Sequence, residues 1–179
     1  MKIGITGSTC SGKTTFINYI AFNMDGLRKE VEIINERAME CPYPLNDKGG
    51  FRTQWWILTH HIAKEFEAQG RSKIIISDRT VFDGIPYLCI APHSQKDLDM
   101  TIKTATEWSK LYPYDYVFYF APISMSTMAD GTLRFQREID EHLRTIISNN
   151  IKHDKIIYIP YNTKIKRCED AFKKLMSII

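Results

Sequence analysis

The sequence contains no Cys-x-x-Cys pair, no apolar run of about eighteen residues, no block of like charge, no internal repeat and no low-complexity tract. Each absence removes a class of protein. Cys10, Cys41, Cys89 and Cys168 are scattered, which gives neither zinc-ligand spacing nor a disulfide framework, so reduced thiols are expected. The lack of a long apolar run removes the membrane-spanning helix. A motif that begins at residue 7 leaves no room ahead of it for a secretory signal, so a soluble, intracellular and cytoplasmic protein with no membrane partner is expected. The 24 basic and 21 acidic residues leave a net charge of only +3, too even a mixture to announce a nucleic-acid or membrane partner. A local basic pocket is compatible with that balance.

The material that is present supports one core. A chain of 179 residues, 44% of them hydrophobic, falls in the single-domain range, and one globular domain over 1–179 is expected. Five short segments are rich in β-branched and aromatic residues: Lys2 to Thr6, Val31 to Asn35, Lys73 to Ser77, Asp115 to Phe120 and Lys155 to Ile159. Several are apolar without interruption, as expected of strands covered on both faces. Helical spacing occupies Lys13 to Met24, Phe51 to Gln69, Asp97 to Leu111, Leu133 to Asn149 and Ile165 to Met176. In the second of these, Trp55, Leu58, Ile62 and Phe66 form the expected core stripe, and Gly70 is the stop signal. Strand and helix in alternation predict crossover units, hence an α/β fold with a parallel sheet and helices on both faces. Cys41 to Gly50 and Ala121 to Gly131 are expected to be extended loops.

GSTCSGKTT, from Gly7 to Thr15, has the spacing Gly, four residues, Gly, Lys, Ser or Thr, and it sits between an apolar strand and a helix. That context matches the mechanism of a phosphate loop. Gly7 and Gly12 allow backbone angles that let successive amides, from Ser8 through Cys10 and Ser11 to Thr14 and Thr15, turn toward phosphate oxygens. The helix that starts near Lys13 adds its positive end. Lys13 would neutralise the β- and γ-phosphates, and the Thr14 hydroxyl would hold Mg²⁺. Cys10 occupies one of the free positions of the motif and is read as structural.

Two strand ends add chemistry. In an open parallel sheet, ligands gather at the carboxyl ends of the strands, which places Asp78 beside the loop. Asp78 can bind Mg²⁺, and Arg79 can make forked contacts with phosphate. Glu36 and Arg37 follow another strand, and Glu36 is positioned to accept a proton from an attacking hydroxyl. The plain structural readings are a helix-capping ion pair for Asp78 and Arg79 and a solvated charge for Glu36.

With these residues in order, the sequence resembles the phosphate-loop nucleoside and nucleotide kinases. The resemblance rests on GSTCSGKTT, on Glu36-Arg37-Ala38, on SDRTVFDGIPY from Ser77, and on DYVFYFAP from Asp115 followed by DGTLRFQREIDEHLR. Within that superfamily it looks most like the small kinase-like ATPase group that includes ribosylnicotinamide kinase domains and phage-encoded kinases. It implies a three-layer phosphate-loop fold with a five-stranded parallel sheet, order 2-3-1-4-5, and a lid after the fourth strand, at about 121–137. It also implies ATP with Mg²⁺ as phosphoryl donor. Carried over by position, Glu36 matches the base toward the acceptor hydroxyl, Asp78 and Arg79 the acidic-Arg pair near metal and acceptor, and Arg134 and Arg137 the lid arginines. The lid stretch has one residue more between Gly131 and Arg134 than the Asp-Gly-x-Arg form, and no nucleobase-selecting signature stands out.

The remaining candidates are weighed on their residues. Arg137 can equally form an exposed pair with Glu141 on its own helix. Arg52, Trp56, Phe51 and Gln54 open the helix after the second strand and can contact an acceptor's base or sugar, or serve as packing. Asp83 and Tyr87 are second-rank acceptor contacts. His60 and His61, adjacent in a helix, point about 100° apart, which argues against a shared metal. Three activities share these features: phosphoryl transfer to a nucleoside, nucleotide or related ribosylated small molecule; transfer to a terminus or modified base of DNA or RNA; and a nucleotide-dependent switch or ATPase.

Overall fold

A computed structural model describes residues 1–24, 30–45, 48–123 and 136–179, with Lys164 described by its backbone alone. The strands are β1 (Lys2–Thr6), β2 (Val31–Ile34), β3 (Ile74–Asp78), β4 (Tyr116–Phe120) and β5 (Ile156–Ile159). The α-helices are α1 (Lys13–Asn23), α2 (Phe51–Gln69), α3 (Ile85–Ile90), α4 (Gln95–Leu111), α5 (Gln136–Asn150) and α6 (Lys164–Met176). The sheet order is β2-β3-β1-β4-β5 and every pairing is parallel. This is the order expected from the resemblance, with helices on both faces.

The period-2 alternation of the central strands divides the core into two layers. Ile3, Ile5, Phe118 and Phe120 face α1 and α6, where they pack on Phe16, Ile17, Ile20, Ala171 and Leu175. Val117 and Tyr119 face the other way, onto Leu58, Val81, Phe82, Ile85, Leu143 and Ile147. Gly4 lies on that second face, where an added Cβ would come within 2.6 Å of Thr80 Cγ2. Helix α4 begins at Gln95, two residues before the expected start, because Ser94 and Asp97 form a reciprocal capping box.

Three expectations are corrected. Strand β3 is displaced by one residue and takes Asp78 as its last member, while β2 ends at Ile34. A short helix, α3, was not expected; six residues are too few to display a helical period, and Pro86 at its start fits the first turn. Phe66 is not part of the core stripe of α2: it is 59% exposed and packs at its edge on Trp108 and Tyr112. Glu65 takes the buried place beside it, with no exposed surface.

The register brings the chemistry to one edge. Ile5 pairs with Asp78 and Ile34 with Ser77, so the ends of β1, β2 and β3 lie level. The Arg79 amide donates to the Ile5 carbonyl (2.9 Å) and extends that alignment one residue beyond the strand. The segment after β1, Glu36 and Asp78 therefore emerge together.

Candidate active site

The phosphate loop is built from conformations that side chains disfavour. Gly7 has φ 143°, and a Cβ there would sit 2.4 Å from the Phe120 carbonyl oxygen. Its absent side chain thus serves the contact with β4. Gly12, at φ 91°, faces open space, with the nearest atom 3.8 Å from a hypothetical Cβ, and its requirement is purely conformational. Cys10 also has positive φ, 60°. Gly12 offers no side-chain cap, which leaves the first amides of α1 available to an anion.

Lys13 is buried and donates to the carbonyls of Gly7 (2.7 Å) and Ser8 (2.9 Å). Burial, with the neighbouring Arg79 charge, lowers its pKa to about 8. Thr14 and Thr15 are exposed at the start of α1, and the buried Ser8 hydroxyl has no hydrogen-bond partner among the described residues. Asp78 is 4% exposed, its Oδ1 is buried without a partner among the described residues, and burial raises its pKa to about 6 against the pull of Arg79. An unpartnered, desolvated carboxylate is suited to a cation. Among the described residues no three His, Cys, Asp or Glu side chains group to hold a metal unaided. Asp78 thus offers one carboxylate, and Thr14 one exposed hydroxyl, of the oxygen kind that suits a Mg²⁺ whose other ligands would come from phosphate and water.

Arg79 has φ 85° and turns its guanidinium to Glu36, Nε to Oε1 at 2.6 Å. The contact is an ion pair rather than a linear hydrogen bond, since that N–H is not aimed at an acceptor. The guanidinium also approaches Asp83 (3.6 Å). Asp83 Oδ1 accepts from the Thr80 amide (2.8 Å), the Thr80 hydroxyl (2.6 Å) and the Thr6 hydroxyl (2.8 Å). Asp83 is consequently an anchor that holds the strand-end turn to β1.

Glu36, Asp78, Arg79 and Asp83 line a cleft of about 230 Å³, whose apolar walls are Ile34, Ile57, Leu58 and Val81. Thr9 of the phosphate loop lines it too, so loop and cleft are contiguous. The Thr9 hydroxyl is 2.5 Å from the Tyr87 hydroxyl, and its carbonyl accepts from Gln136 Nε2 at 2.5 Å. Arg37 lines the cleft with its guanidinium paired to Glu40 (2.9 Å).

Other expected residues stand apart. Arg52 is exposed, Trp56 stacks on His60 with centroids 3.7 Å apart, and neither lines the cleft; Gln54, His60 and His61 of the same helix do. Arg137 is 86% exposed and paired with Glu141 (2.9 Å). Arg134 and most of the expected lid lie outside the described residues. Sequence reasoning missed Thr9, Gln136 and His61 as parts of this site; the position of Thr9 inside the phosphate loop was the one signal available.

No protein-family model matches the chain and no curated protein is similar to it. Solved structures share its fold. A NadR protein in complex with NAD and AMP-PNP superposes with a TM-score of 0.71 at 17% identity, over 97% of this chain and 48% of that one. The NadR protein in complex with NR gives 0.73 at 15% identity, over 98% and 48%. This chain thus spans about half the length of those proteins. Deoxyadenosine kinase from M. mycoides with bound dATP gives 0.69 at 20% identity, over 98% of this chain and 99% of that one. The fold is that of the phosphate-loop kinases. No described helix is long and apolar enough to cross a membrane.

Proposed function

We propose that the protein transfers the γ-phosphoryl group of ATP, with Mg²⁺, to a hydroxyl or phosphate of a nucleoside, nucleotide or related ribosylated small molecule. The observation that carries this reading is the continuity of loop and cleft through Thr9, with Glu36, Asp78 and Arg79 along the cleft. A cleft of about 230 Å³ accepts a small molecule more readily than a polymer strand, which favours the small acceptor over DNA or RNA. The structures that share the fold were solved with nucleotides, which supports ATP as the donor.

In this reading Lys13 leaves its own loop carbonyls for the phosphates, while the loop amides and the uncapped end of α1 receive the remaining charge. Glu36 orients the acceptor hydroxyl and takes its proton as the acceptor oxygen bonds to phosphorus. The bond from that phosphorus to the β–γ bridging oxygen breaks, and ADP leaves. Arg79 steadies Glu36 and is available to the moving phosphoryl group. Arg134 and Arg137, as the resemblance implies, would add positive charge over it. Thr14 and Asp78 would hold Mg²⁺, which when bound neutralises charge developing on the phosphates.

The test is transfer of labelled phosphate from ATP across nucleosides, monophosphates, nicotinamide riboside and short oligonucleotides. Transfer that requires one acceptor class, reduced about 10²- to 10³-fold by Lys13→Ala, is expected. Hydrolysis indifferent to every acceptor would refute it.

A further inference from the structure

Beneath the cleft lies a buried ionic network that none of the steps above uses. Glu65 is fully buried and accepts three donors, Lys2 Nζ (2.8 Å) and Trp108 Nε1 (2.6 Å) on Oε2 and the Tyr114 hydroxyl (2.6 Å) on Oε1, while His61 Nε2 lies 3.4 Å from Oε1. Burial alone would raise its pKa; His61 and Lys2 override burial and hold it at about 2, so it is ionised. His61 Nε2 also lies 3.1 Å from the Ser77 hydroxyl, one residue before Asp78.

A buried ion network is a weak source of stability, but it fixes orientation well. Here it fixes His61. A ring that donates from Nε2 toward this carboxylate offers Nδ1 as an acceptor. His61 lines the cleft, and its Nδ1 has no hydrogen-bond partner among the described residues. Ile34, Ile57, Leu58 and Val81 line the same cleft. The surroundings thus set the His61 ring beside apolar walls that suit a flat ring.

We propose that His61 is a specificity-determining residue for the acceptor, selecting a nucleoside whose base carries an exocyclic amino or carboxamide group that donates to Nδ1. The inference rests on the kinase reading for its substrate class, and its test does not depend on turnover. Calorimetric binding of adenosine and cytidine to the full chain, without ATP, is compared with purine riboside and pyrimidin-2-one riboside, which lack the exocyclic amine. The parent is expected to bind the amino-bearing nucleosides about tenfold more tightly, the scale of one buried hydrogen bond. His61→Phe, which keeps a flat ring, should abolish the difference. His61→Asn, whose Oδ1 takes the place of Nδ1, should restore part of it, which loss of packing alone would not allow. Melting curves establish that both variants are folded. Equal binding of the paired nucleosides by the parent, no nucleoside binding at all, or a preference unchanged in folded His61→Phe would overturn the proposal. Preferential binding with no transfer to any acceptor would refute the kinase reading and leave the role of His61 standing.

Discussion

Glu36 Oε1, two residues beyond the end of β2, and Arg79 Nε, one residue beyond the end of β3, are 2.6 Å apart. Their side chains are 28% and 17% exposed, so the pair is partly shielded from water. The expected result of Glu36→Gln is a fall in kcat of about 10²-fold with the KM for ATP unchanged, because the amide keeps the shape and loses the proton acceptor. Arg79→Ala should lower kcat and raise the acceptor KM together. Steady-state kinetics on the best acceptor separates the two, and an unchanged kcat in Glu36→Gln would remove Glu36 from proton transfer.

The two loop glycines should differ. Gly7→Ala places a Cβ 2.4 Å from a backbone oxygen of β4, so the loop or the strand must move. Gly12→Ala meets nothing closer than 3.8 Å and carries only the backbone strain of positive φ, about 1–3 kcal/mol. Denaturant melts of the nucleotide-free variants are expected to show the larger loss for Gly7→Ala.

Asp78 and Glu65 give opposite pH signatures. Burial raises Asp78 from 3.8 to about 6, so the folded chain binds the proton more readily and this group's contribution to stability falls as pH rises through that window. Asp78→Asn should therefore gain stability relative to the parent as pH passes from about 4 to about 7, measured by melting temperature in the absence of magnesium. A difference that stays constant with pH would show that the shift is absent.

Glu65 runs the other way. Its pKa is depressed from 4.5 to about 2, so the stability it contributes is complete above the unfolded value and is lost as pH falls toward 2. Glu65→Ala leaves Lys2, Trp108 Nε1 and the Tyr114 hydroxyl without their acceptor and should destabilise by about 3–5 kcal/mol at neutral pH. Lys2→Met, which leaves Glu65 the Trp108 and Tyr114 donors, should lose less.

What the sequence made legible follows from the range of the interactions. The five strands stand out because each is a local apolar run, and their order followed from the family resemblance. Glu36, Asp78 and Arg79 were placed at the edge of the cleft by the rule that ligands gather at strand ends. Phe66 and Glu65 show where local pattern fails: the helical stripe names the aromatic residue, yet the buried place goes to a carboxylate whose partners Lys2, Trp108 and Tyr114 are 63, 43 and 49 residues away. Long-range partners leave no periodic trace. His61 was hidden for the same reason, although its divergence from His60 was foreseen; His60 bonds the Trp56 carbonyl while His61 turns to Ser77. The Thr9 contacts with Tyr87 and Gln136 likewise join segments 78 and 127 residues apart.

Because Asp83 rivets the turn after β3 to Thr6, the strand that leads into the Gly7–Thr15 loop and the turn that lines the cleft form one continuous piece. If the proposed transfer is correct, a lineage adapting to a new acceptor would have to leave that piece alone and rework the removable wall, formed by α2 and the 37–45 segment. Replacing residues on that wall is accordingly the economical route for an engineer who wishes to redirect the protein without disarming it.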